Sequence, residues 1–174
     1  MRRSTARIRA EATAILRQEG IEDPPIPIEH LAHTLGARIT LDAFDGEISG
    51  MLFRDAERIV IGVNANHASS RRRFTIAHEC GHLLLHTGKD LYVDRGFSVR
   101  LRDTTSAEAT NIEEIEANAF AAEILMPARM IQRDVGEYAL DYEDDGLIAQ
   151  LASRYHVSLQ AMIFRLTNLG YIDK

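Results

Sequence analysis

Apolar residues recur at helical spacing over residues 5–18, at Ile8, Ala12, Ile15 and Leu16, and Gly20 is placed to stop that helix. Pro24, Pro25 and Pro27 interrupt the chain before a short helix over residues 28–35, closed by Gly36. The pattern then changes to strands over residues 37–41, 50–53 and 58–64, the last rich in β-branched side chains. Asp45-Gly46 marks a turn, and Asp55-Ala56-Glu57 joins the second and third strands at hairpin distance. A small, mostly antiparallel sheet is predicted.

From residue 71 to about residue 86 the helical period returns, with Ser69 or Ser70 available as a cap. Phe74, Ile76, Ala77, Leu83, Leu84 and Leu85 surround most of this helix, so it should be buried. Residues 88–110 are polar and poorly periodic, a long connection of the kind that often covers a functional site. Asn111 can cap a further helix over 112–125, ended by Met126-Pro127, and a short helix follows over 128–135. An acidic stretch over 137–145 reads as a linker, after which residues 146–171 form two helices around His156-Val157-Ser158. The expected fold is α+β, a small sheet packed on helices, divided into a domain over 1–135 and a helical extension over 146–174.

The buried helix carries His78-Glu79-Cys80-Gly81-His82. Burying these polar groups is costly unless they have partners, which is a physical reason to expect a ligand there. Histidines four residues apart share one helix face, and both can reach a single zinc ion at about 2.0–2.1 Å. Glu79, beside the first of them, is placed to act as general base toward a water that zinc has acidified. A core in which both histidines are merely satisfied is the bland alternative, and the motif's place on a buried helix after a strand weighs against it.

A catalytic zinc needs a third protein ligand. A longer histidine motif would put one at Gly88, which cannot ligate. His86 lies one turn beyond His82, but histidines spread over three such positions span about 12 Å of helix, too far for one ion. His86 is therefore read as supporting a ligand from behind or as a helix-end residue. Glu113, Glu114 and Glu116 open the next helix, and spacing alone does not choose among them. Complementing the helix dipole explains one or two of the three without any metal.

Composition narrows the class. At 174 residues, 45% hydrophobic and 26% charged, the chain can bury a core without a metal or disulfide to hold it together. A net charge of −6 argues against a generic nucleic-acid binder. The dense run Arg71-Arg72-Arg73 and the N-terminal Arg2, Arg3, Arg7 and Arg9 read as solvated surface. One cysteine, Cys80, fits a reducing compartment. No stretch reads as a membrane helix, and no apolar segment follows the N-terminal arginines, so the cytoplasm is expected.

Residues 73–86, Arg-Phe-Thr-Ile-Ala-His-Glu-Cys-Gly-His-Leu-Leu-Leu-His, resemble the signature helix of the ImmA/IrrE metallopeptidases. Residues 114–127, from Glu114 through Ala117-Asn118, Phe120-Ala121 and Met126-Pro127, resemble that family's second block, E-x-x-A-N-x-F-A-x-x-L-x-M-P. The resemblance covers about residues 50–170. It departs at Cys80, where the family more often has an aliphatic residue, and a small hydrophobe suits that place. The resemblance implies a gluzincin-like catalytic core in which the third zinc ligand is Glu114, with Asn118 one turn further supporting that ligand. It also implies that the substrate is a helix-turn-helix transcriptional repressor, cleaved in mobile elements or in a stress response.

The stretch from Leu151 to Leu166 itself resembles a helix-turn-helix, for which repressor docking, DNA contact and plain packing are the three readings. Its few basic residues, Arg154 and Arg165, make DNA contact the weakest. Zn2+ is the expected cofactor, and Mn2+ or Fe2+ also suit a His/His/Glu set. Tyr92 and His156 qualify as oxyanion partners by chemical type alone. The rival to a peptidase is a non-catalytic zinc-containing regulator that binds a repressor or an antitoxin-like partner. The presence of Glu79 favours the enzyme, since a structural site has no use for a general base.

Overall fold

The computed structural model describes residues 3–44, 48–87, 90–94, 106–136 and 145–172, with backbone alone for 106–111 and 145. The expected turn at Asp45-Gly46 and most of the acidic stretch at 137–145 lie outside them. Within these residues the fold is α+β, with seven helices and one four-stranded mixed sheet. Helix α1 (Thr5–Gln18) is capped by Ser4, whose side chain accepts from the Arg7 N–H, and it buries Ile8, Ala12 and Leu16. Helix α2 (Ile28–Thr34) ends at Gly36, whose φ of +85° places it in the left-handed region that favours glycine.

The sheet contains β1 (Ala37–Asp42), β2 (Gly50–Arg54), β3 (Ile59–Asn64) and β4 (Leu91–Asp94), in the order β1-β3-β2-β4. β2 lies antiparallel to both β3 and β4, but β1 joins β3 in parallel, Ala37 opposite Ile59. The sheet is thus mixed, and among the described strands it is mostly antiparallel as expected, with β1 the parallel exception. The crossover from β1 must bring the chain back to the same end before β3, which hairpin spacing does not reveal. β4 falls inside the stretch expected to be a bare connection. Its alternating burial, Tyr92 in and Leu91 and Val93 out, shows why four residues suffice to pair on an edge.

Helix α3 (Ser69–Leu85) follows β3 and runs through the middle of the molecule. It starts at Ser69 with Ala68 at the cap, so neither serine provides a capping side chain. Only part of the arginine run is solvated surface: Arg71 is exposed, Arg72 half-buried and Arg73 buried. Arg73 is 8% exposed and donates to the Ile26 carbonyl at 2.7 Å, Arg71 donates to the Ser49 hydroxyl and Arg72 to the Ala65 carbonyl. These contacts fix the start of α3 against the sheet and α2.

Helix α4 (Ser106–Leu125) begins five residues before the expected cap at Asn111 and packs along α3 and α1. Of the N-terminal arginines, Arg7 stays exposed as expected, while the partly exposed Arg3 and Arg9 each reach a buried carboxylate on α4, Glu116 and Glu123. Helix α5 (Ala128–Val135) starts behind Pro127. Helices α6 (Asp145–Tyr155) and α7 (Leu159–Leu169) follow, α7 capped by the Ser158 side chain and closed by Gly170. Ile148, Leu151, Tyr155, Met162 and Leu166 join the same hydrophobic core as α1, α3 and α4. Arg154 pairs with Asp134, and Arg165 makes a two-pronged contact with Glu123 at 2.9 and 2.7 Å.

No described helix is long and apolar enough to cross a membrane.

Candidate metal centre

Helix α3 brings His78, Glu79 and His82 to the interior, at 3%, 0% and 1% exposure. Gly81 sits between them at the crossing with α4, where there is no room for a side chain. That close approach brings Glu114 across to the histidines. Its Oε2 lies 3.3 Å from His78 Nε2, its Oε1 lies 3.2 Å from His82 Nε2, and the two Nε2 atoms are 3.0 Å apart. Three donors bonded tetrahedrally to zinc at about 2.0–2.1 Å would stand roughly 3.3–3.4 Å from one another. The side chains therefore fit a tetrahedral divalent ion with little adjustment.

The electrostatics agree with the geometry. Burial alone would lower His78, but its hydrogen bond to Glu114 and the charges of Glu79, Glu114 and Asp94 outweigh it and push its pKa up to about 9. Burial would raise Glu114, yet the His78 and His82 contacts hold it well below the usual carboxylate range. His82 is lowered, chiefly by burial. Carboxylates concentrated in a buried pocket favour a cation there, whether a proton or a metal.

Glu79 is the outlier. Both its carboxylate oxygens are buried without a hydrogen-bond partner among the described residues, and burial pushes its pKa up to about 8. A carboxyl group in that condition is poised to exchange a proton with whatever occupies the space before it. Gly50 allows β2 close to this group, since a Cβ there would meet Thr75 Cγ2 and Glu79 Oε1. Asp94, at the end of β4, forms a second possible ligand group with His78 and Glu79.

The surrounding residues divide the remaining contacts. Asn118 is expected from the resemblance to support Glu114; its Oδ1 instead lies 3.0 Å from His78 Nδ1. With Nε2 facing the donor cluster, Nδ1 carries the proton and donates to Asn118. Glu116 is turned away from the cluster toward His86 and Arg3. His86, 6% exposed, stands behind His82, with their Nδ1 atoms 3.1 Å apart. Tyr92 stacks on the His82 ring, with centroids 4.3 Å apart and planes inclined by 25°. The sequence pattern puts Tyr92 in a bare connection, and only the β2–β4 pairing brings it to the site. His156 is exposed in the turn between α6 and α7 and makes no side-chain contact with the cluster among the described residues. Cys80 is buried, its thiol pushed up to about 12 by burial, so it is inert packing.

A peptidase family model, described as the IrrE N-terminal-like domain, matches residues 32–167. The chain belongs to this family. Among curated relatives, the radiation response metalloprotease IrrE of Deinococcus radiodurans is 32% identical over 114 residues, which is 65% of this chain and 32% of that protein. The radiation response metalloprotease IrrE of Deinococcus deserti is 32% identical over 113 residues, covering 64% of this chain and 37% of that protein. The chain therefore matches about a third of the length of these IrrE relatives. Among solved structures, a Mycobacterium tuberculosis transcriptional regulator superposes with a TM-score of 0.61 over 93% of this chain and 46% of that one. At 16% identity this is a likeness of fold alone.

Proposed function

We propose that this IrrE-family chain is a zinc-dependent endopeptidase of gluzincin type. His78, His82 and Glu114 hold the metal and Glu79 is the general base. The observation that carries this reading is the donor triangle of 3.0–3.3 Å set beside the unpartnered Glu79. Zinc, when bound, supplies the Lewis acidity that polarises a scissile carbonyl and acidifies a water. Glu79, beside His78, would take the proton from the attacking water and pass it to the departing amine. Asn118 holds His78 with Nε2 toward the metal. Mn2+ or Fe2+ suit the same donors, so the metal in the cell follows availability as well as geometry.

The substrate is a helix-turn-helix transcriptional repressor, a reading supported by the sequence resemblance. An extended segment of it lies along β4, which is an edge strand with Leu91 and Val93 exposed. Helices α6 and α7 form a helix-turn-helix-like extension whose Arg154 and Arg165 are committed to Asp134 and Glu123. Those pairings support packing or repressor docking over direct DNA contact. A non-catalytic regulator would leave the buried, unpartnered Glu79 without a purpose.

The deciding experiment incubates zinc-loaded wild type and Glu79→Gln with the candidate repressor. Wild type should cleave it, while the variant binds an equal amount of zinc and loses at least about 100-fold in rate. Equal cleavage by both, or cleavage by neither, would sink the mechanism.

A further inference from the structure

Behind the candidate metal centre, four side chains from three parts of the chain form a continuous line of contacts. His82 Nδ1 lies 3.1 Å from His86 Nδ1, and His86 Nε2 lies 3.2 Å from Glu116 Oε2. Arg3 completes the line, its guanidinium 3.0 Å from the same Oε2 and its backbone N–H donating to Oε1. Glu116 is 2% exposed and His86 6%, so these contacts are largely shielded from water.

The order of donors and acceptors along this line is forced once one end is set. His82 faces His78 and Glu114 through Nε2. With that lone pair given to a cation, the ring proton must sit on Nδ1, which donates. His86 Nδ1 then accepts, so the His86 proton sits on Nε2 and donates to the Glu116 carboxylate. Glu116 can only accept, and Arg3 can only donate. Every partner is satisfied in one direction, and reversing any single tautomer leaves two donors or two acceptors facing each other.

Other groups around His86 leave that order intact. Its carbonyl receives the Arg54 guanidinium, while Tyr92 lies tilted beside its ring at 6.3 Å. Among the described residues, the hydrogen bonds seen at the ring nitrogens are those with His82 and Glu116.

We propose that His86 and Glu116 are positioning residues that lock His82 in its metal-binding tautomer, and that the N-terminal Arg3 tunes the site by clamping Glu116. This rests on the metal reading above. Histidine ligands held by a carboxylate behind them bind metal more tightly, and losing such a partner costs about 10–100-fold in affinity. Here the carboxylate acts through a second imidazole. The far end of the line is a segment before α1 rather than part of α3 or α4, so displacing that segment loosens the metal.

The test measures the zinc dissociation constant by chelator competition, together with the visible spectrum of the cobalt-substituted protein. His86→Ala and Glu116→Gln should weaken zinc by about 10–100-fold and alter the cobalt bands. Arg3→Ala, which leaves the His86–Glu116 contact in place, should weaken it by less. His86→Asn, whose amide oxygen can accept from His82 Nδ1, should recover most of the loss and guards against a folding defect in the alanine variant. Unfolding of the metal-free proteins serves as control, because a mere strut would lower its midpoint and leave metal affinity alone.

Wild type that binds one zinc with variants of equal affinity and spectrum overturns the relay while leaving the metal centre intact. Wild type that binds no zinc, or that binds it as well after His78→Ala, overturns both.

Discussion

Gly81 meets the backbone of Ala117 where α3 packs on α4. A Cβ on residue 81 would lie 3.0 Å from Ala117 Cα and 3.1 Å from its carbonyl oxygen. Both obstacles are backbone, so they cannot swing aside. Because α3 carries the histidines and α4 carries Glu114, this contact sets how far apart the donors stand. Gly81→Ala should therefore cost about 1–3 kcal/mol of stability through overpacking. Zinc affinity should fall as well, measured by competition at a temperature where the variant is folded. A destabilised variant with unchanged affinity would separate the crossing from the site.

Asn118 offers a narrower test. Its contact with His78 Nδ1 fixes the tautomer of one ligand. Asn118→Ala should weaken zinc by about 10–100-fold, and Asn118→Asp, which keeps an acceptor in place, should restore much of it. Failure of the aspartate variant to improve on alanine would mean that the amide serves packing alone.

Metal removal should be visible in stability. A ligand that binds only the folded state stabilises it by about 2.7 kcal/mol when present at 100 times its dissociation constant. Zinc should raise the thermal midpoint of wild type, and chelator should reverse this. Glu114→Ala, which removes one corner of the donor triangle, should respond far less. An equal rise in both would place the zinc elsewhere.

The contacts at Asp134 predict a pH dependence remote from the metal. Burial would raise Asp134, but hydrogen bonds from Arg133 and Tyr155, with the charges of Arg133 and Arg154, outweigh it and lower the pKa below the ordinary 3.8. Folding therefore favours the ionised form. Its contribution is complete above 3.8 and disappears as pH falls through the lower folded value. Asp134→Asn should cost about 2 kcal/mol near neutrality, the scale of a hydrogen bond to a charged group. Urea melts at falling pH should show wild type losing that advantage only below 3.8, and a constant gap would contradict the linkage.

Helices that carry their own periodicity are legible in the sequence, as α1, α3 and α7 illustrate. What the sequence hides is distance across the chain. β4 is four residues in a polar stretch, and its identity comes from pairing with β2 some forty residues earlier. Spacing leaves Glu113, Glu114 and Glu116 equivalent, because the choice depends on how α4 crosses α3. That crossing sends Glu114 to the histidines and Glu116 to Arg3. Nothing local marks Gly81 as a contact point or Arg3 as a partner of Glu116. Arg73 misleads for the same reason: its charge reads as surface until the Ile26 carbonyl is found opposite it.

Glu123 gathers the guanidinium groups of Arg9 on α1 and Arg165 on α7 onto one carboxylate that is 2% exposed. Helices α1 and α7 are thereby fastened at a single rivet in the last turn of α4. Cutting the chain after α5 would remove Arg165 and leave a buried anion with only the half-exposed Arg9 to balance it. A shortened version of this protein would have to neutralise residue 123, for instance as glutamine, before it could be expected to hold its shape.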